Sequence, residues 1–167
     1  MLAIGADIAT KTGWGVVESA GGRETLLEHG IVDVAKLTPA ELCQAIGRVL
    51  DRTARNSHAD VVVALELPYL ADNPHALEVL ARLCGQWEHA CAMRGLDAVL
   101  VRASQWQPAI LTGLITTHSK REQRKRAARM WCKTTFGVDL SDDESDAAAI
   151  ATWACRQHRA RAAGLIR

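Results

Sequence analysis

The chain has 167 residues, nearly half of them apolar, and a formal net charge of +1. That length suits one domain with a full core, spanning residues 1–167. No stretch approaches the ~18 uninterrupted apolar residues of a membrane span, and no charged leader precedes a short apolar run in the manner of a signal peptide. Cys43, Cys84, Cys91, Cys132 and Cys155 are odd in number and form no CxxC pair. This argues against a disulfide frame or a zinc site and fits reduced thiols in the cytoplasm.

Leu2 to Ile8 is apolar except for Asp7, the pattern of a strand buried centrally in a sheet. An ionised carboxylate there is costly unless something pairs with it, and a metal ion is the partner that suits it best. Lys11-Thr12-Gly13 reads as a turn and Trp14 to Val17 as the returning strand. Gly21-Gly22 turns the chain again into a third strand, Thr25 to Val32, which completes an antiparallel meander. Thr38-Pro39-Ala40-Glu41 combines a cap, a proline at the first helical position and a capping box. The helix it opens repeats Leu42, Ala45, Ile46, Val49 and Leu50 at helical spacing. Val61 to Leu65 is a continuous β-branched run, as in a central parallel strand, and it ends in Glu66. Asn73-Pro74 starts a helix with an apolar face of Leu77, Leu80, Ala81, Cys84, Trp87 and Cys91 and a stop at Gly95. Ala98 to Val101 is a fifth strand, and Ser104 to Thr117 reads as a short helix and a loop. Ser119-Lys120-Arg121-Glu122 is a capping box opening a basic helix. Ser141-Asp142-Asp143-Glu144 is another, opening a last helix with an inner face of Asp146, Ala147, Ile150 and Ala154. Asp143 and Asp146, three apart, share its first turn.

This order predicts an α/β fold: a mixed five-stranded sheet, three antiparallel strands then two parallel ones, with helices on both faces. Ends of buried parallel strands collect active sites, so Asp7 and Glu66 are expected as neighbours, with Asp143 and Asp146 brought to them by the last helix. Four carboxylates without histidine or cysteine form a hard-oxygen set suited to Mg²⁺ or Mn²⁺. Two ions about 3.5–4 Å apart suit in-line phosphodiester chemistry. The blander account of Asp142, Asp143 and Glu144 is that acids in a first helical turn satisfy free N–H groups and the helix dipole. For Asp7 it is an ion pair with Lys11 or a turn contact. Residues 119–133 carry Lys120, Arg121, Arg124, Lys125, Arg126, Arg129 and Lys133 against Glu122, and the tail adds Arg156, Arg159, Arg161 and Arg167. Beside a candidate phosphodiesterase site this imbalance points to DNA rather than to a solvated face alone. Trp14, Trp87, Trp131 and Trp153 read as core, and His75, His89 and His118 have no ligand spacing.

Gly5-Ala6-Asp7, Thr12-Gly13-Trp14-Gly15, Leu65-Glu66 and Asp143-Glu144-Ser145-Asp146-Ala147, in this order, resemble the RuvC Holliday-junction resolvases, most closely their phage-type branch. The resemblance runs from the first strand to about Trp153. It implies an RNase H-like fold, a homodimer, two Mg²⁺ (with Mn²⁺ as a substitute) and cleavage of four-way DNA junctions. It places the metal ligands at Asp7, Glu66, Asp143 and Asp146 and the family's basic catalytic residue, near the start of the penultimate helix, at Lys120. Tyr69 falls where the family has an aromatic contacting junction bases, and Lys120, Arg121, Arg124 and Lys125 are the expected DNA contacts. Leu67-Pro68 departs from the polar residue common after the second acid in the cellular enzymes, and the adjacent Asp142 leaves open which aspartate of the pair is the ligand. Two competing functions are a junction-binding protein without catalysis and a nucleotide-binding phosphotransferase of the actin and sugar-kinase type. The second needs a glycine-rich phosphate turn, which Ile8-Ala9-Thr10-Lys11 lacks. For the dimer, the helix from Asn73 to Arg94 is a candidate interface, with Leu83 and Trp87 as apolar surface beyond its core stripe.

Overall fold

The computed structural model describes residues 1–55, 60–68 and 73–166. The elements follow as β1 (Leu2–Asp7), β2 (Lys11–Ala20), β3 (Arg23–Asp33), α1 (Pro39–Arg55), β4 (Val61–Glu66), α2 (Pro74–Ala92), β5 (Asp97–Val101), α3 (Ala103–Ile110), α4 (Arg121–Phe136) and α5 (Asp142–Ala162), with a 3₁₀ turn at Val34–Lys36. The strands lie in the order β3-β2-β1-β4-β5. β1, β2 and β3 are antiparallel neighbours, and β1, β4 and β5 run parallel. The α/β class and the mixed five-stranded sheet agree with the expectation from the sequence.

Two-residue alternation along the strands sorts the core into two layers. Ile4, Ala6, Val63 and Leu65 pack with α1 and α2 residues such as Ile46, Leu50, Leu83 and Trp87. Ala3, Val17, Ala64 and Val101 pack with Trp106 of α3, Ala127 and Ala128 of α4, and Ile150 and Ala151 of α5. Asp7 continues the Ala3–Gly5 series and Glu66 the Val62–Ala64 series, so the pleat turns both acids toward the α5 layer.

Four local details differ from the sequence expectation. Lys11-Thr12-Gly13 is strand, not turn: Gly13 pairs with Asp7, and the turn is Ile8-Ala9-Thr10, stapled by the Thr12 hydroxyl donating to the Ala9 carbonyl at 2.6 Å. Gly13 serves close approach instead, since a Cβ there would stand 2.0 Å from the Asp143 carbonyl oxygen. The cap of α4 is shifted by one residue: Lys120 N donates to Gln123 Oε1 at 2.7 Å, while the Ser119 hydroxyl accepts from Thr116 N in the preceding turn. On α2, Leu83 and Trp87 are core and Ala81 is exposed, so these two large side chains do not form a surplus surface for a partner. Finally, α5 is buried on every side from Ala147 to Cys155, because the sheet covers one side and α3 and α4 the rest. A helix buried all round is apolar all round.

The remaining boundaries form as their chemistry requires. Gly21 and Gly22, both at positive φ, close the tight β2–β3 hairpin. The Thr38–Glu41 box and the Asn73 cap start α1 and α2. Cys84, Cys91, Cys132 and Cys155 are buried free thiols and Cys43 is exposed. No helix among the described residues is long and apolar enough to cross a membrane.

Candidate active site

Parallel pairing of β1 with β4 sets Ala6 opposite Leu65, so Asp7 and Glu66 emerge side by side at the C-terminal edge of the sheet. α5 reaches them because no side-chain layer separates it from the strands. A Cβ on Gly5 would lie 2.1 Å from the Ala147 carbonyl oxygen, and one on Gly13 2.0 Å from that of Asp143. The helix backbone rests on strand backbone, and its first turn delivers Asp143 and Asp146. Ser141 holds that turn: its hydroxyl accepts from Glu144 N at 3.4 Å, and its own N–H donates to Glu144 Oε2 at 3.1 Å.

The acids act on one another electrostatically. Burial, then Asp143, push Asp7 up to about 6, against the pull of Lys125 and Arg121. Burial and Asp7 push Glu66 up to about 7. Asp146 is raised well above the usual carboxylate range by burial, Asp7 and Glu66. Each acid feels another's charge, and together they are short of positive charge. Lys125 supplies part of it, with Nζ 3.4 Å from Asp143 Oδ1 and 3.6 Å from Asp142 Oδ2. Burial alone would lower the Lys125 ammonium, but Asp143, Asp142 and Asp146 outweigh it and hold it above its ordinary value.

Asp142 turns the other way. Its Oδ1 is buried and lies 3.2 Å from Arg129 Nε, a charge contact without hydrogen-bond geometry, and it joins α5 to α4. Asp143, by contrast, acts on Asp7 and Asp146.

The sequence-predicted residues therefore divide. Asp7, Glu66, Asp143 and Asp146 lie at one end of the sheet within reach of one another's charge. Lys125, expected as a DNA contact, is in the acid cluster. Lys120 and Arg121 are exposed at the start of α4, and among the described residues no ion pair or hydrogen bond links Lys120 to the four acids. Arg124 is partly committed, its Nε donating to the Ser119 carbonyl at 2.8 Å and Nη1 to Gln107 Oε1 at 3.4 Å. Arg156 and Arg159 are not a free basic tail: both bind Glu24 at 2.8 Å. Tyr69 and Arg167 lie outside the described residues. Two contacts escape the sequence reading. Trp106 Nε1 donates to Glu66 Oε2 at 2.9 Å, and His29 Nδ1 lies 2.8 Å from Glu144 Oε1, joining β3 to the first turn of α5. Both partners are remote in the chain, and no local pattern marks them.

Residues 4–153 match the family model described as "Crossover junction endodeoxyribonuclease RuvC". The chain belongs to the RuvC family. A curated member, the crossover junction endodeoxyribonuclease RuvC of Anaeromyxobacter dehalogenans (strain 2CP-C), is 32% identical over 160 residues, covering 90% of this chain and 78% of the relative. Among solved structures, T. thermophilus RuvC in complex with Holliday junction substrate aligns with a TM-score of 0.75 at 18% identity, over 95% of this chain and 96% of that one. The yeast mitochondrial Holliday junction resolvase Ydc2 aligns with a TM-score of 0.55 at 13% identity, over 95% and 81%. At these identities the structural matches establish the RNase H-like fold, and the RuvC membership rests on the sequence.

Proposed function

We propose that this RuvC-family protein is a divalent-metal-dependent endonuclease that resolves four-way junctions or other branched DNA by phosphodiester hydrolysis, acting as a homodimer. The observation that carries the reading is the grouping of Asp7, Glu66, Asp143 and Asp146, in which Asp143 acts on Asp7, Asp7 on Glu66, and all three on Asp146, with Arg121 within reach of Asp7.

Among the described residues, no three acidic, histidine or cysteine side chains stand close enough to hold an ion as they are placed. The donor chemistry nevertheless fits Mg²⁺. All four groups offer hard oxygens, and Asp7, Glu66 and Asp146 are raised first by burial and then by one another's charge, a repulsion that a divalent cation would offset. Asp7, Glu66, Asp143 and Asp146 would hold it, Asp142 being engaged with Arg129. When bound, two such ions supply a polarised water and charge stabilisation at the leaving oxygen.

The chain's own residues do the rest. Arg121, whose charge reaches Asp7, and the neighbouring exposed Lys120 would contact phosphate. Lys125 offsets part of the acids' charge. Gly5 and Gly13 keep α5 seated so that the acids stay in register with the strands. One chain carries one such cluster, whereas a four-way junction is two-fold symmetric, so paired cuts require two subunits in a C₂ arrangement. Leu83 and Trp87 are core and take no part in that contact.

The test is incubation of purified protein with a labelled four-way junction, a fork and linear duplex, with and without Mg²⁺. Paired nicks of equal polarity in opposing strands of the junction, only with Mg²⁺, support the reading. Cleavage in a chelator, or of linear duplex alone, refutes it. Light scattering that shows a monomer both free and on junction DNA refutes the dimer and leaves a nickase of branched DNA.

A further inference from the structure

Glu66 stands at the end of β4 with three side-chain torsions to fix, and its neighbours are acids that repel it. What holds it is on α3. β5 pairs in parallel with β4, with Glu66 opposite Val101, and α3 begins at Ala103, so its first turns pass directly over the end of β4. Trp106 is fully buried there, among Val101, Ile110, Leu111, Ala128 and Ile150. The indole N–H is its only polar group, and a buried Trp N–H finds a partner. Here the partner is Glu66 Oε2, at 2.9 Å.

We propose that Trp106 is a positioning residue for Glu66. Its indole N–H fixes one carboxylate oxygen and leaves the other for the acid cluster. The choice of a neutral donor matters. Lys125, which holds Asp143, brings a full positive charge that competes with any cation for the same oxygen. The indole orients Glu66 without reducing its charge, and because Trp106 is locked by core packing, the orientation is set before an ion arrives. Outer contacts of this kind set metal affinity, typically by 10- to 100-fold. The inference rests on the metal reading above and adds a residue to it.

The experiment titrates Mg²⁺ into the DNA-free protein, following binding by calorimetry, and separately measures the Mg²⁺ concentration for half-maximal junction cleavage. Trp106→Phe keeps a ring in the core and removes the donor. Both Mg²⁺ values are expected to rise about tenfold, while the cleavage rate at saturating Mg²⁺ stays within about threefold of wild type. Leu111→Ala, in the same buried cluster, removes packing without touching Glu66. It is expected to lower the melting temperature and leave the Mg²⁺ affinity in place. If Trp106→Phe does not fold, benzothienylalanine at position 106, which replaces the N–H with sulfur at nearly constant shape, carries the same expectation. Unchanged Mg²⁺ affinity on loss of the N–H overturns the inference and leaves the metal reading intact. An equal loss in Leu111→Ala also overturns it, by assigning the effect to packing. A wild-type protein that binds no Mg²⁺ overturns the metal reading and this inference with it.

Discussion

The two faces of the sheet are built on different principles. The face toward α1 and α2 is an ordinary interdigitated layer, with Ile4, Ile46, Leu50, Val63, Leu65 and Trp87 filling volume between elements. The face toward α5 has glycine and alanine where contact is made: Gly5, Gly13 and Gly15 on the strands, and Ala147, Ala148 and Ala151 on the helix. Side-chain layers yield, because rotamers adjust and small cavities are tolerated at a cost. Backbone laid on backbone has no such slack. The candidate site is on the second face, where Asp143 and Asp146 must meet acids on two strands, and there the chain gives up side-chain burial for fixed placement.

The largest break in this comparison is chemical. Asp146→Asn keeps the helix seated and removes one charge from the cluster. Cleavage is expected to fall by about three orders of magnitude, equivalent to about 4 kcal/mol of barrier, while junction binding in a gel-shift assay persists. Asp142→Asn, on the outward side, is expected to be much milder, and a severe effect there would move the ligand by one residue.

Next comes the seat of the helix. In Gly13→Ala the new Cβ meets the Asp143 carbonyl group and Glu144 N, all backbone, so the first turn of α5 must shift. A stability loss of about 2–3 kcal/mol is expected from this overpacking, with a larger proportional loss of cleavage. Gly15→Ala, whose nearest contact is 3.2 Å, is expected to be milder in both. Equal effects at the two positions, by denaturant titration and by cleavage, would remove the special status of the α5 seat.

Proton linkage gives a third measurement. Asp7 and Glu66 are raised to about 6 and about 7 from 3.8 and 4.5, and Asp146 is raised as well. The folded state therefore binds more protons than the unfolded state between these values. The resulting contribution is fully present below the unfolded values and is lost as pH rises through about 6 to 7. In a chelator, wild type is expected to lose stability relative to Asp146→Asn as pH rises from about 5 to 8. Chemical denaturation of both proteins at each pH measures the difference, and parallel profiles would contradict the placement of Asp146.

The opposite face supplies a smaller contrast. Ile46→Val removes one methylene from the α1 layer and is expected to cost about 1 kcal/mol, with cleavage below the melting range unchanged. The smallest effect is at the surface. Replacing Lys120 and Arg121 with alanine is expected to weaken junction binding and flatten its salt dependence by about one unit per lost contact. An unchanged slope would place the start of α4 away from DNA.

Much of this was legible in the sequence because the signals are local. Continuous apolar runs marked β1 and β4 as buried strands ending in Asp7 and Glu66. Capping residues marked the starts of α1, α2 and α5, and the Asp143–Asp146 spacing needs only helical periodicity. Gly13, by contrast, read as a turn residue: a local pattern cannot distinguish a glycine that bends the chain from one that admits a neighbouring backbone. Tertiary structure decided what depends on partners distant in the chain. Trp106 meets Glu66 across 40 residues, His29 meets Glu144 across 115, and Arg156 and Arg159 reach Glu24 across more than 130. Whether Lys125 faces the acids or DNA, and whether Trp87 faces the core or a partner, depends on how helices are rotated against the sheet. That rotation is set by close approach at Gly5 and Gly13 and by the volume filled on the other face, properties of the packed whole rather than of any stretch of sequence.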